Sequence, residues 1–265
     1  TDSSGGVLPG VTVTVVNEGT GFTDTRVTDA AGLYTFTNLR VGTYSVAAEI
    51  QGFRKEQRTG LSLTADGRLS ADFSLGVGEL NESVEVTASL GEAVNRTSGE
   101  VARTIDSQQI RDLAFNGRNY LELASLIPGA VATDFDPLAL ATSLSVTGQS
   151  INGSRSNTNN LTVDGGSNLD SGSNGSQVNN VSLSFIEQVK IQTANFSAEL
   201  GRNSGGQINV VTRSGTNKFQ GTARYDFRDE KFDEPNYFAA RDASGNRTKP
   251  DLEFKNFEGA LGAPL

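Results

Sequence analysis

The chain has 265 residues, a formal net charge of −9 and no Cys, His, Met or Trp. The acidic balance argues against nucleic acid as a partner, and the absence of His and Cys excludes histidine-based catalysis, thiolate sites and the commonest zinc sites. No stretch approaches the roughly 20 apolar residues of a membrane helix, so a membrane-spanning part would have to be a barrel. Because the chain opens at Thr1 without a Met or a signal peptide, we expect it to be a processed or trimmed piece.

Residues 1–76 predict a small all-β domain, the first domain. Turn residues such as Pro9-Gly10 and Asp66-Gly67 separate short runs in which apolar side chains alternate with polar ones. The apolar positions of these runs are Val11, Val13 and Val15, then Tyr34 and Phe36, then Tyr44, Val46, Ala48 and Ile50, and finally Leu69, Ala71, Phe73 and Leu75. Short strands at this spacing indicate a β-sandwich.

Residues 77–100 predict a linker that is rich in Gly, Glu, Asn and Ser. It contains one β-prone run, Val84-Glu85-Val86-Thr87. Three interpretations stay open for this run: the last strand of the first domain, ordinary linker, or an unpaired extended segment that adds itself as a strand to a partner's sheet.

Residues 101–217 predict an α+β domain, the second domain. Asp106 can cap a helix with Gln109 at the capping-box position, and Ile105 can pack on Ile110. A second helix is predicted to begin after Asn119, which has Glu122 three residues on, and to end near Pro128-Gly129. Its apolar residues are Leu121, Leu123, Ala124 and Leu126.

The rest of the second domain predicts loops and strands. Gly, Ser, Asn, Thr and Asp dominate residues 148–180, which indicates long loops around one short strand at Leu161-Thr162-Val163-Asp164-Gly165. Loops of this length usually carry function or move. Val189-Lys190-Ile191-Gln192 and residues 208–212 predict two further strands, with a loop rich in Gly, Asn and Ser at residues 195–206 between them.

Residues 218–265 begin with one long alternating strand. Phe219, Gly221, Ala223, Tyr225 and Phe227 fall on one face, and Gln220, Thr222, Arg224, Asp226 and Arg228 fall on the other. An outer-membrane strand needs this alternation, because one face meets lipid and the other a polar lumen. A soluble hairpin alternates as well. A barrel needs at least about eight strands, so this chain cannot itself be a finished pore.

The motifs of residues 101–217, in their order, resemble the plug domain of TonB-dependent outer-membrane receptors. Four elements carry the resemblance: Ile127-Pro128-Gly129-Ala130; Leu161-Thr162-Val163-Asp164-Gly165; Phe185-Ile186-Glu187-Gln188-Val189-Lys190-Ile191; and Gly201, Gly205, Gly206, Ile208, Asn209 and Thr212. Leu200 departs from the pattern, since an aromatic residue is usual there. Residues 27–53 resemble the carboxypeptidase regulatory-like (transthyretin-like) family, whose opening strand is expected upstream of Asp2; its absence would leave an open sheet edge.

The resemblance to Oar-like receptors of this family implies a partner-binding site. Glu82-Ser83-Val84-Glu85-Val86-Thr87-Ala88 resembles the TonB box, an extended segment ahead of the plug that the periplasmic C-terminal domain of TonB binds. Main-chain hydrogen bonds would hold the segment, and Val84 and Val86 would select the partner.

The resemblance also implies that plug arginines pair with acids of the barrel wall and lock the plug in place. Arg118, Arg155 and Arg202 are the candidates, and the alternative is that they are ordinary surface arginines. Residues 164–170 invite a Ca²⁺ interpretation through closely spaced oxygen ligands, but the acidic residue that ends such loops is missing, and a polar plug loop explains them equally well.

The sequence therefore predicts a mixed fold: residues 1–76 a sandwich, 77–100 a linker with the TonB-box-like segment, 101–217 a plug, and 218–265 the first strands of an incomplete β-barrel. The predicted function is gated, energy-coupled uptake of an unknown extracellular ligand at the bacterial outer membrane, with the N-terminal domains in the periplasm. We expect no enzyme activity, cofactor or metal. The alternative is a structural protein that assembles through exposed β-strand edges.

Overall fold

The computed structural model describes residues 1–65, 67–78, 83–87, 99–113, 118–132, 148–201, 203–235, 237–249 and 251–264. The chain divides into two compact units, residues 1–217 and 218–265. Within the described ranges, no helix combines the length and apolar character needed to cross a membrane.

The first domain is built on a five-stranded sheet. Its strands are β1 (Thr12–Asn17), β2 (Thr23–Val27), β3 (Gly42–Glu49), β4 (Lys55–Leu63) and β5 (Ser83–Thr87). The strand order is β2-β1-β3-β4-β5, and every neighbouring pair is antiparallel except β4 and β5, which are parallel.

One face of this sheet forms the first apolar core. Alternate residues of β1 and β3 are buried there, as the alternation predicts. The core residues are Val11, Val13, Val15, Tyr44, Val46, Ala48, Leu61, Phe73 and Leu75. Burial of this face is the main stabilising contribution, because each buried aliphatic side chain is worth roughly 1.5–3 kcal/mol.

Two predicted strand runs cover this core without forming ladders. Residues 33–37 and 69–74 are extended but carry no strand pairing. Their aromatic rings pack instead: Tyr34 lies edge-on to Phe36 at 5.9 Å between ring centroids, and the Tyr34 hydroxyl donates to the carbonyl of Ala71. The second layer of the sandwich is therefore held by side-chain packing rather than by a ladder.

Among its described residues, the second domain contains seven strands in two sheets. They are β6 (Val101–Asp106), β7 (Ala130–Ala132), β8 (Gln149–Ile151), β9 (Asn160–Val163), β10 (Gly166–Ser167), β11 (Ile186–Ala194) and β12 (Gln207–Thr212). The larger sheet has the order β10-β9-β12-β11-β6, in which only β9 and β12 are parallel, and β7 pairs with β8 separately. The predicted strands at 189–192 and 208–212 are confirmed within β11 and β12.

Residues 148–180 hold more strand than the sequence indicates. β8, β9 and β10 all lie there. β9 and β10 form a two-residue hairpin whose central residues, Asp164 (φ 49°) and Gly165 (φ 80°), both lie in the left-handed region. Such turns match the twist of a hairpin and favour Asp-Gly at these positions. The expectation of one short strand among loops is therefore wrong in extent, because the Asp-Gly turn adds β10 and pairing with β7 adds β8.

Helix α1 (Ser107–Asp112) follows β6 directly and has the predicted capping box. The Gln109 N–H donates to Asp106 Oδ1 at 2.8 Å, and the Asp106 N–H donates to Gln109 Oε1 at 3.3 Å. Ile105 and Ile110 are both 1% exposed and belong to the second core. These contacts fix the direction in which the chain leaves β6.

The second predicted helix is a 3₁₀ helix, Tyr120–Leu126. Asn119 caps it by accepting from the Leu121 N–H at 3.0 Å. Its buried residues are Tyr120, Leu121, Leu123 and Ala124. Shorter 3₁₀ helices are Ser156–Thr158, Leu183–Phe185, Ala198–Leu200 and Glu230–Phe232.

Strand β11 lies at the centre of the second domain and is buried on both faces. Val189 and Ile191 are fully buried in the apolar core. On the opposite face Gln188, Lys190 and Gln192 are buried as well. The Ala65 N–H of the first domain donates to Gln188 Oε1 at 3.1 Å, so this polar face contacts the first domain.

The unit at 218–265 contains a long hairpin of β13 (Gln220–Asp229) and β14 (Glu253–Gly262). The register places Tyr225 opposite Phe257, and both are exposed, at 57% and 76%. The alternate positions are less exposed, and there Arg224 Nε donates to Asp226 Oδ1 at 2.8 Å. The predicted alternation of an aromatic and a polar face is therefore confirmed.

Candidate functional site

The TonB-box-like segment is the end strand of the first sheet. Its described part, Ser83–Thr87, is β5, and Glu82 and Ala88 lie outside the described residues. β5 runs parallel to β4 in five register pairs, from Lys55↔Ser83 to Thr59↔Thr87. The expectation that this segment is unpaired is wrong for these five residues.

The pairing of β5 follows from the geometry of β4. β3 covers one edge of β4, which leaves the other edge with open backbone donors and acceptors. Parallel pairing needs a crossover of about a dozen residues or more, and residues 64–82 supply it. Phe73 and Leu75 of that crossover are buried in the first core, so the chain returns to β4 across a packed layer.

A buried polar cluster lies where the chain enters the second domain. Glu100 Oε1 lies 2.9 Å from Lys190 Nζ, and Gln192 Nε2 donates to Glu100 Oε2 at 2.7 Å. The Lys190 side chain is only 3% exposed. Burial alone would raise the pKa of the Glu100 carboxyl, but the hydrogen bonds from Lys190 and Gln192 together outweigh it and hold that pKa below its ordinary value.

A hydrogen bond to the backbone also fixes the chain at the start of the second domain. Asn195 Nδ2 donates to the carbonyl of Gly99 at 3.1 Å. β6 begins two residues later and is the end strand of its sheet, paired antiparallel with β11. A pull on the chain ahead of Gly99 would therefore act first on the Glu100 cluster and then on β6.

Asp164 and Asp170 are the two carboxylates of the candidate Ca²⁺ site at residues 164–170. Asp164 accepts from the N–H and the hydroxyl of Thr212, at 2.9 and 2.7 Å. The Asp170 carboxylate accepts from the backbone N–H groups of Gly172, Ser173, Gly175 and Ser176. These backbone hydrogen bonds, led by that from Ser173, hold the pKa of Asp170 far below its ordinary value.

The two carboxylates therefore serve loop structure. Hydrogen-bond donors crowd both, and a cation would have to displace them. Among the described residues, no group of three or more His, Cys, Asp or Glu side chains could hold a metal ion. Beside the Asp170 loop lies a polar cleft of about 240 Å³, and its lining includes Asn160, Asp170, Asn174, Glu199 and Asn203.

Two family models match the chain. The carboxypeptidase regulatory-like domain matches residues 1–76, and the TonB-dependent receptor plug domain matches residues 93–207. The chain carries a regulatory-like domain followed by a TonB-dependent receptor plug domain. The resemblance carried by the ordered motifs is thereby confirmed.

Three known proteins are similar to parts of this chain. Over 206 residues the chain is 31% identical to the TonB-dependent transporter Oar of Myxococcus xanthus. The matched region covers 75% of this chain but only 18% of the length of Oar. Among solved structures, the outer membrane transporter YddB from Escherichia coli has a TM-score of 0.44 at 18% identity and covers 59% of this chain and 23% of that one. The siderophore receptor PirA from Pseudomonas aeruginosa has a TM-score of 0.35 at 19% identity. That match covers 48% of this chain and 21% of the PirA chain.

The Gly-Gly pair of the plug domain is required by close packing. A Cβ at Gly206 would lie 2.2 Å from Ile151 Cδ1, and a Cβ at Gly205 would lie 2.5 Å from Asn159 Oδ1. Asn159 in turn donates to the carbonyl of Gln149 at 2.7 Å and accepts from the Gly206 N–H at 3.0 Å. The glycine pair therefore lies where the chain directly ahead of β12 packs against Ile151 of β8 and Asn159.

The three candidate locking arginines of the plug domain do not form a described cluster. Arg118 has a left-handed backbone (φ 56°) just before the Asn119 cap. Arg155 is exposed and precedes the 3₁₀ helix Ser156–Thr158. Arg202 lies outside the described residues. Their locking role stays a prediction.

Sequence reasoning missed the Glu100 cluster. A Lys in a strand is usually solvated, so the position of Lys190 between Val189 and Ile191 indicated only the polar face of a strand. The missed indication was the run of polar residues Gln188, Lys190 and Gln192 on a strand whose other face carries Val189 and Ile191. Such a strand at the centre of a sheet must bury its polar face with internal partners.

Proposed function

We propose that this chain is the gating part of a TonB-dependent outer-membrane transporter that takes up an extracellular ligand with energy supplied by TonB. The observation that carries the proposal is the order of four elements along the chain: regulatory-like domain, β-prone segment, plug domain, and a hairpin with one aromatic face. Its role is transport rather than catalysis.

The TonB C-terminal domain would bind the segment Glu82-Ser83-Val84-Glu85-Val86-Thr87-Ala88 by adding it as a strand to its own sheet. Tension would then pass along the connecting chain to Glu100 and β6. Because β6 is an end strand, it can separate from β11 without breaking the rest of the sheet.

The hairpin supports an outer-membrane location with the domains ahead of it in the periplasm. Its aromatic face carries Tyr225, Phe227 and Phe257, each more than half exposed. Exposed aromatic faces of this kind suit lipid contact, whereas Arg224 and Asp226 on the other face suit a polar lumen. We propose that β13 and β14 begin the barrel that surrounds the plug, and that plug arginines such as Arg118, Arg155 and Arg202 pair with its acids.

The extracellular ligand would meet the polar loops of the plug. The cleft beside Asp170 is shaped by loops that are rigid through their internal hydrogen bonds, which suits recognition of a polar ligand. Its chemical identity stays open, since barrel loops outside this chain would share in the specificity.

The test is binding of the purified TonB C-terminal domain to this chain. We expect micromolar or tighter binding that Val86→Pro weakens by about tenfold or more, because proline removes a backbone donor. Val7→Pro is the matched control, since Val7 is exposed and lies outside any strand. Binding that Val86→Pro leaves unchanged would refute the TonB-box assignment.

A further inference from the structure

We propose that one edge of β4, the edge that pairs with β5, is a docking surface for the TonB-box segment. TonB engages the segment only after the segment leaves this edge. The proposal rests on the proposed function, because it takes the segment to be the TonB-binding site. It assigns the regulatory-like domain a role as a competitor of TonB for the same strand.

The first support is the register of the docked strand. Val84 and Val86 are the Cα partners of Glu56 and Arg58. Those two β4 residues lie opposite Ala48 and Val46 on the core side of the sheet. A partner that selects its strand through positions 84 and 86 must therefore reach the core side of this sheet.

The second support is that the crossover covers that side of β4. The Arg58 guanidinium lies 5.1 Å from the centroid of the Phe73 ring. The Ser74 N–H donates to Glu56 Oε2 at 3.2 Å. The β4 residues in register with positions 84 and 86 are therefore already covered by residues of the crossover.

The third support is that the chain is guided to the β4 edge before β5 begins. The Arg54 N–H donates to the carbonyl of Gly76 at 2.8 Å, and the Gly78 N–H donates to that of Gly52 at 3.2 Å. Phe53 and Val77 form a β-bridge between these two contacts. Residues 76–78 therefore lie antiparallel to residues 52–54, directly ahead of the start of β4.

Competition multiplies the apparent affinity of TonB by the fraction of molecules in which the segment is undocked. Ligand binding at the plug could then favour TonB engagement by any change that frees β5. This coupling between the plug and TonB requires only that β5 pairs either with β4 or with the sheet of TonB, and not with both at once.

An engineered disulfide tests the proposal directly. Gln57 and Glu85 are Cα partners, and the natural chain has no Cys that could interfere. In the Gln57→Cys/Glu85→Cys chain we expect TonB C-terminal domain binding to be at least about tenfold weaker when oxidised than when reduced. The control is Thr14→Cys/Thr25→Cys, a paired position between β1 and β2 with 3.4 Å between the hydroxyls, which should bind equally in both states.

Hydrogen exchange gives a second measurement on the unmodified chain. If the segment leaves, the β4 amides at Lys55 to Thr59 that face β5 should exchange faster in the TonB complex than in the free chain. Unchanged protection of these amides would mean that TonB adds to the outer side of a docked β5, which overturns the proposal.

The remaining outcomes separate the two proposals. Equal binding by the oxidised and reduced 57/85 chain would overturn the docking competition and leave the TonB-box assignment intact. A 57/85 pair that does not cross-link, while the 14/25 pair does, would refute the docked register. Absence of TonB binding by the reduced and unmodified chains would refute the proposed function, and the competition with it.

Discussion

The two five-stranded sheets of this chain end at the same connecting stretch, but their end strands are held differently. β5 pairs with β4 in parallel through five register pairs, and β6 pairs with β11 antiparallel through six. Parallel pairing is slightly weaker per residue. The β6 edge is also stabilised by the Glu100 cluster and by the capping box of α1. β6, the strand that we propose carries tension, therefore has side-chain support in addition to its ladder.

The largest expected effect is at the buried ion pair. Glu100→Gln removes the carboxylate charge that lies 2.9 Å from the buried Lys190 ammonium, which should lower the free energy of unfolding by about 3 kcal/mol. Urea unfolding followed by circular dichroism measures the change.

The matched control is Glu100→Gln/Lys190→Met, which removes both charges and should recover most of the loss. A single Glu100→Gln chain that unfolds at the wild-type urea concentration would mean that the β6 edge has no special support, and the comparison would fail.

The pH dependence sharpens the same comparison. Because the pKa of Glu100 is below its ordinary value of 4.5 in the folded chain, its contribution is fully present above that value and is lost as the pH falls through the folded pKa. The stability difference between wild type and Glu100→Gln should therefore shrink as the pH falls below about 4.5. Asp170 titrates in both proteins and cancels in the difference. A gap that is constant with pH would contradict this account.

An intermediate effect is expected at the cap that follows β6. Asp106→Ala removes the acceptor for the Gln109 N–H and should cost about 1 kcal/mol in the free energy of unfolding. Asp112→Ala, at the other end of the same helix, serves as the control and should change stability by much less. Equal losses from the two variants would show that the cap is not responsible for the loss.

The smallest effect is expected at an exposed ion pair of the first sheet. Glu49 Oε2 lies 3.3 Å from Lys55 Nζ, and both side chains are more than a third exposed. Glu49→Gln repeats the substitution made at Glu100 and should cost less than about 0.5 kcal/mol in the same urea experiment. A loss as large as that of Glu100→Gln would break the comparison between the two edges.

Local features of the fold could be predicted from the sequence because their causes are local. The capping box of Asp106 and Gln109 depends on residues three apart, and the alternation in β13 sets its two faces without reference to the rest of the chain. The short 3₁₀ form of Tyr120–Leu126 fits buried residues at spacings of two and three, which the sequence displayed but did not distinguish from an α-helix.

Features that depend on a distant partner could not be predicted in this way. The alternation of Ser83–Thr87 indicates a strand but does not say which edge it joins, because many edges accept such a segment. The Glu100 cluster joins residues from separate strands, and its components are individually ordinary. The family motifs identified the plug domain, whereas the contacts that support its end strand had to come from three dimensions.

The Asp170 loop also has a consequence for how the cleft can evolve. One carboxylate gathers four backbone N–H groups, so the loop's shape depends mainly on main-chain atoms and on Asp170. The side chains of Ser171 and Asn174 line the cleft. Substitutions at these two positions could alter what the cleft recognises while the loop keeps its path, which makes this region a natural place for libraries that seek new ligands.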